Sequence, residues 1–187
     1  MRAVDAGLHG HPGEAIPIDV IGAGALMLQT GFKRGSKDSD ILESADLRQA
    51  DKDGLLSLAG PGTLLAKREG MYLQFVAPGI PFLPQRPEFE TVASLSDLRR
   101  LRVRALGVVD VVVSKLKRFH ANDRSDIREM VEADLVAPTR LAHRFRSAFE
   151  MTGLGAGREE LARCVENLHF VEREFLGVAE TAFELEG

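Results

Sequence analysis

Asp38 and Asp40 are the side chains in this sequence best placed to do chemistry, and they lie a short way downstream of the small-residue run Ile21-Gly22-Ala23-Gly24-Ala25-Leu26. In a strand, alternation puts both carboxylates on one face, a few ångströms apart. Two like charges held that close are costly unless a cation sits between them. A hard divalent ion such as magnesium takes few protein carboxylates and completes its shell with phosphate oxygens and water. A turn of small residues just upstream lets backbone amides approach those phosphates. Together these features point to metal-assisted phosphoryl chemistry.

The flanking pattern supplies elements to hold them. Pro17–Ile21 reads as a short strand, Ala23–Gly31 as a helix stopped by glycine, and Asp38–Leu42 as a second strand after the basic loop Phe32–Lys37. Ala45–Ala50 is expected to be helical with Ser44 as cap, and Asp51-Lys52-Asp53-Gly54 to form a turn. Pro61 suits the first turn of a short helix running through Arg68 and ended by Gly70. Met71–Val76 alternates as a strand, Ala77–Pro87 is a proline-rich loop, and Phe89–Ala93 and Leu101–Leu106 are two further strands. From Val108 the period becomes helical. Val109, Val112, Leu116 and Phe119 mark one helix, and Ile127, Met130, Val131 and Leu135 a second. Pro138 opens a third, and Leu161, Val165, Leu168, Val171 and Phe175 define a fourth. The expected fold class is α+β: a flexible tail over residues 1–16, a small mixed β-sheet flanked by helices over 17–106, and a helical bundle over 107–187 packed on that core.

Composition bounds the rest. The chain has 187 residues, enough for a real core, and a formal net charge of −4 that gives no support to bulk nucleic-acid affinity. The single cysteine, Cys164, excludes an internal disulfide and falls on an apolar helical stripe, so it reads as a small core residue. No secretory signal or membrane-length apolar run is visible, and a cytoplasmic location is the expectation.

Two phosphate motifs are decoys. Gly22-Ala23-Gly24 invites a dinucleotide fingerprint, but Met27 stands where glycine or alanine is needed. Gly31–Lys37 has the wrong spacing for a P-loop, and Asp38 follows the lysine. His9 and His11, in a Gly/Pro setting, read as solvated rather than as metal ligands.

Ile21–Leu26 followed by Arg34-Gly35-Ser36-Lys37-Asp38-Ser39-Asp40-Ile41-Leu42 resembles the nucleotidyltransferase superfamily, and within it the minimal, AbiEii-like toxin branch. That pattern is a strand, two small residues, a short helix, then Arg-x-Thr/Ser-x-Asp-x-Asp. Val113-Ser114-Lys115-Leu116 and Asn122-Asp123-Arg124-Ser125-Asp126-Ile127 resemble the lysine-on-a-helix and Asp-x-x-Asp segments that follow, so the likeness spans roughly residues 17–135. It implies that Gly22, Ala23 and Gly24 would turn backbone N–H groups toward nucleotide phosphates and that Ser36 would donate to them. Asp38 and Asp40 would hold Mg2+ for attack on the α-phosphorus. Lys115 would act as a point charge on the triphosphate. Asp126 would orient that lysine or the acceptor hydroxyl, and Arg34 would contact phosphate or brace the loop. Each group also has a plainer reading: the acidic pair as a solvated surface feature, Asp123 and Asp126 as helix-terminal charges, Lys115 as a surface residue.

Two departures from the resemblance stand out. Active members draw a third carboxylate from the neighbouring strand, where this chain has Gln74, whose carbonyl can ligate magnesium but cannot serve as a base. Glu69 and Glu43 are less natural substitutes. Relatives also carry a helix before the first strand, which residues 1–16 are not expected to form. Separately, Arg100, Arg102 and Arg104 share a strand face, extended by Lys117, Arg118 and His120. They would either track a phosphate backbone or simply keep an exposed strand soluble. The function expected is transfer of a nucleoside monophosphate from a nucleoside triphosphate to an RNA or protein acceptor, by resemblance in a toxin–antitoxin pair with an antitoxin partner. The alternative is a degenerate module that binds nucleotide or a partner protein without turnover.

Overall fold

A computed structural model describes residues 1–10, 13–33, 36–153 and 157–183. It is α+β, as expected. The chain divides into two compact units: Met1–Ile80 with Phe89–Gly107, and Pro81–Glu88 with Val108–Gly187.

The first unit is a five-stranded sheet in the order β3-β2-β1-β5-β4. Its strands are β1 (Ile16–Val20), β2 (Asp38–Leu42), β3 (Tyr72–Val76), β4 (Phe89–Thr91) and β5 (Leu101–Leu106). The sheet is mixed: β1 runs parallel to β5 and β2 to β3, while β1–β2 and β4–β5 are antiparallel. Alternation divides the residues between two faces. Ile16, Ile18, Val20, Ile41, Leu73, Leu101, Val103 and Ala105 share one face and are buried. Helix α2 (Gly22–Gln29) lies on it so closely that a Cβ on Gly24 would stand 3.2 Å from Val20 Cγ1. The registers place Asp38, Asp40, Gln74, Asp19 and Arg104 on the opposite face.

Residues 1–16 depart from the expected tail. Arg2–Gly7 forms a helix, α1, with Val4 and Leu8 buried. Asp5 fastens it by accepting the N–H groups of Arg100 (2.7 Å) and Leu101 (3.0 Å), and Arg2 pairs with Asp97 at 2.6 Å. The expected Ala45–Ala50 helix and Asp51–Gly54 turn are also corrected. A single helix, α3, spans Gln49–Ala59 with Arg48 rather than Ser44 at its N-cap. Asp51, Leu55 and Ala59 recur every four residues and are buried, and Arg48 holds the Asp51 carboxylate at 2.7 and 2.9 Å. Burying that stripe outweighs the helix cost of Gly54, about 1 kcal/mol. Helix α4 (Leu64–Glu69) starts after Pro61, with the Thr63 hydroxyl accepting the Ala66 N–H, and ends at Gly70 in the left-handed region, φ +68°.

The second unit contains the four helices read from periodicity: α5 (Val108–Leu116), α6 (Ala121–Glu132), α7 (Pro138–Gly153) and α8 (Arg158–Val171). A π-helical turn over Glu172–Leu176 continues α8. Its core holds Val112, Leu116, Ile127, Met130, Leu141, Phe145 and Leu168. Residues 81–88 are tied down from two sides. Phe82 meets the edge of Phe145 with ring centroids 5.4 Å apart. Arg144 donates to Asp110 at 2.6 and 2.5 Å and to the Arg86 carbonyl at 2.8 Å. Cys164 is buried as expected, and burial, with the nearby Glu160 charge, pushes its thiol up to about 11. Among the described residues no helix is long and apolar enough to cross a membrane.

Candidate functional site

The polar sheet face is built around β2. Asp38 and Asp40 both project from it and are half-buried, with Ser39 and Ile41 buried on the apolar side. The Ser36 hydroxyl donates to Asp38 Oδ1 at 2.6 Å, so the expected phosphate donor is seated against the first carboxylate.

The small-residue turn meets the second carboxylate. The Ile21 N–H donates to the Asp40 carbonyl at 2.9 Å. Gly22 opens α2 with φ +63°, and a Cβ placed on it would lie 3.3 Å from Asp40 Oδ2. Glycine is required twice here, for the left-handed backbone and for the space beside the carboxylate. The first turn of α2 therefore begins beside Asp40, where its unsatisfied N–H groups favour an anion.

Gln74 is paired with Asp40 in the parallel β2–β3 ladder and is exposed. The two substitutes are engaged elsewhere: Glu43 with Lys52, and Glu69 with Arg68. A carboxylate that sequence reasoning missed lies on β1. Asp19 is buried on the face of the acidic pair, and Arg104 clamps it at 2.7 and 2.8 Å while lying over the Phe89 ring. Its register partner is Leu42, so Asp40 is a diagonal neighbour, about 7–8 Å along the face. A lone charge inside the apolar run Ile16–Val20 was the signal. The same pairing commits Arg104, a member of the arginine row, to a carboxylate.

The donor set suits a hard cation with few protein ligands. Asp38, Asp40 and the Gln74 carbonyl supply oxygen only, and no group of three His, Cys, Asp or Glu side chains able to hold a metal occurs among the described residues. Phosphate oxygens and water would complete the shell. Arg34 lies outside the described residues. A cavity of about 710 Å³ elsewhere in this unit is lined by residues of α1, α3 and α4 and by none of these groups.

Lys115, Asp123 and Asp126 form a cluster within the second unit. Lys115 is buried, with Nζ 3.2 Å from Asp123 Oδ1 and 2.7 Å from Asp126 Oδ2. Asp123 also binds Arg118 and accepts the His120 N–H at the start of α6. Burial pushes the Asp123 carboxyl up, but the Arg118 hydrogen bond and the charges of Lys115 and Arg118 outweigh this and hold it below the usual range. The surface reading of Lys115 is thereby corrected, because α5 turns it inward toward two carboxylates. Lys117 is paired with Glu160 and Arg118 with Asp123, so neither is a loose member of a basic patch.

Residues 13–152 match the sequence model of a family described as "Nucleotidyltransferase of unknown function (DUF6036)". No curated protein and no solved structure matches the chain significantly.

Proposed function

The chain belongs to this nucleotidyltransferase family, and from that premise we propose that it transfers a nucleoside monophosphate from a nucleoside triphosphate to an acceptor hydroxyl of RNA or protein, releasing pyrophosphate. The observation that carries the proposal is the close approach of the Gly22 turn to Asp40, one strand period along β2 from the Ser36–Asp38 pair. In this reading the first turn of α2 receives phosphate oxygens on its free N–H groups. Asp38 and Asp40 would hold Mg2+, with Gln74 as a neutral third ligand, and the ion would supply charge neutralisation to the phosphates. Ser36 fixes the rotamer of Asp38. The acceptor oxygen bonds to the α-phosphorus as the bond to the bridging oxygen breaks. Gln74 cannot take the acceptor proton, so that proton goes to a carboxylate or to water. Only the resemblance assigns Lys115 and Asp126 to the triphosphate; in the structure Asp126 pairs with Lys115 inside the helical unit, at 2.7 Å.

Label from each α-labelled nucleoside triphosphate should pass to total RNA or to protein with magnesium, and Asp40→Asn should abolish the transfer. Retention of full transfer by Asp40→Asn would refute the reading. On the resemblance the setting is a toxin paired with an antitoxin protein, and growth arrest on expression should then disappear with the same substitution. A second reading, nucleotide binding without turnover, draws on exposed, uncharged Gln74 beside Asp40. It predicts magnesium-dependent binding with no label transfer.

A further inference from the structure

A second cleft lies wholly in the helical unit and belongs to none of the chemistry above. Ala121, Arg124, Ser125 and Arg128 on α6, with Phe170 and Phe175 opposite, enclose about 220 Å³. Arg124 and Arg128 are exposed and stand one helical turn apart on the same face. Among the described residues neither has a carboxylate partner. Arg124 lies over the Phe119 ring at 5.8 Å and Arg128 over Phe175 at 4.9 Å. Phe119–Phe170 and Phe170–Phe175 make edge contacts with centroids 5.6 and 5.5 Å apart, and all three rings are half-buried.

Two like charges at this helical spacing repel, and a bound anion would relieve that repulsion. The aromatic wall adds a second requirement: the ligand should also carry a flat apolar group. A phosphodiester chain with unstacked bases meets both, through arginine–phosphate pairing and base stacking on the phenylalanines. An acidic peptide meets only the first. The volume is smaller than a typical drug-sized pocket, and it suits one base rather than a folded segment. We propose that this Arg124–Arg128–Phe170–Phe175 cleft binds single-stranded nucleic acid, one base against the rings and flanking phosphates on the arginines. It stands independently of the reading of Asp38 and Asp40.

The test uses the full chain and a fluorescein-labelled dodecameric oligoadenylate RNA, followed by anisotropy over a salt series. Arg124→Gln with Arg128→Gln should lower the salt dependence, log K against log salt, by about 1.4, roughly 0.7 per lost phosphate contact. Phe175→Leu, which keeps an apolar group in the cleft, should weaken binding by roughly tenfold. A probe with abasic sites should bind the wild type as weakly as the intact probe binds Phe175→Leu. Circular dichroism melts confirm that these variants fold; should Phe175→Leu fail to, the abasic probe on wild-type protein carries the stacking test. Absence of binding at low salt, an unchanged slope in the double arginine variant, or equal competition by polyglutamate would each overturn the proposal.

Discussion

Replacing Lys115 with methionine keeps most of its length and removes its charge, leaving two carboxylates that the fold encloses. Lys115, Asp123 and Asp126 side chains are 6%, 2% and 3% exposed, so bulk water cannot take over from the lost ammonium group. Removing one partner of such a buried cluster costs about 3–5 kcal/mol, because the remaining charges stay desolvated. Arg118 retains its contacts to Asp123 at 3.1 Å, which puts the expectation toward the lower end. At about 2–4 °C per kcal/mol for a chain of this size, the melting temperature should fall by roughly 6–20 °C. Urea titration at pH 7 supplies the free energy. The double variant Lys115→Met with Asp126→Asn should lose less than the sum of the single losses, with a coupling of about 0.5–3 kcal/mol. A melting temperature unchanged or raised in Lys115→Met would refute the claim that these ion pairs hold α5 to α6.

Three further outcomes are expected. Asp123 titrates below its ordinary value in the fold, so the stability it contributes is complete above pH 4 or so and is lost as pH falls through the depressed value. The urea-measured gap between wild type and Asp123→Asn should therefore be large at pH 7 and shrink by pH 3; an equal gap would contradict the assignment. Gly22→Ala forces a side chain into φ +63° and within 3.3 Å of Asp40 Oδ2, which should cost about 1–2 kcal/mol and weaken magnesium–nucleotide binding by calorimetry. Gln74→Asp adds a charge in register with Asp40 and should tighten manganese binding, read by the loss of free-ion paramagnetic resonance; unchanged affinity would remove Gln74 from the site.

The parts of the molecule legible in its sequence are those where one local rule acts alone. Asp38 and Asp40 share a face because strand period is two, and Gln74 stands opposite Asp40 because β2 and β3 are parallel neighbours. The four later helices follow from apolar spacing over many turns. Failures occur where distant contacts overrule local chemistry. Asp51-Lys52-Asp53-Gly54 has turn composition, yet burial of Leu55 and Ala59 draws it into α3. Residues 2–7 are too few to stand as a helix alone and depend on Val4, Leu8 and the Asp5 contacts to residues 100 and 101. Asp19 was hidden because its partner Arg104 is 85 residues away along the chain. The inward aim of Lys115 was hidden because five valines in α5 leave the charged side of that helix ambiguous.

The proposed transfer requires Asp38 and Asp40 jointly to hold a metal against nucleotide phosphates. A crystal of the protein grown with manganese and a non-hydrolysable nucleoside triphosphate analogue measures this through anomalous scattering. A peak about 2.1–2.2 Å from oxygens of both carboxylates, with phosphate oxygens completing the shell beside Gly22, is the predicted result. Nucleotide bound elsewhere, or manganese absent from this face at saturating concentration, would contradict it.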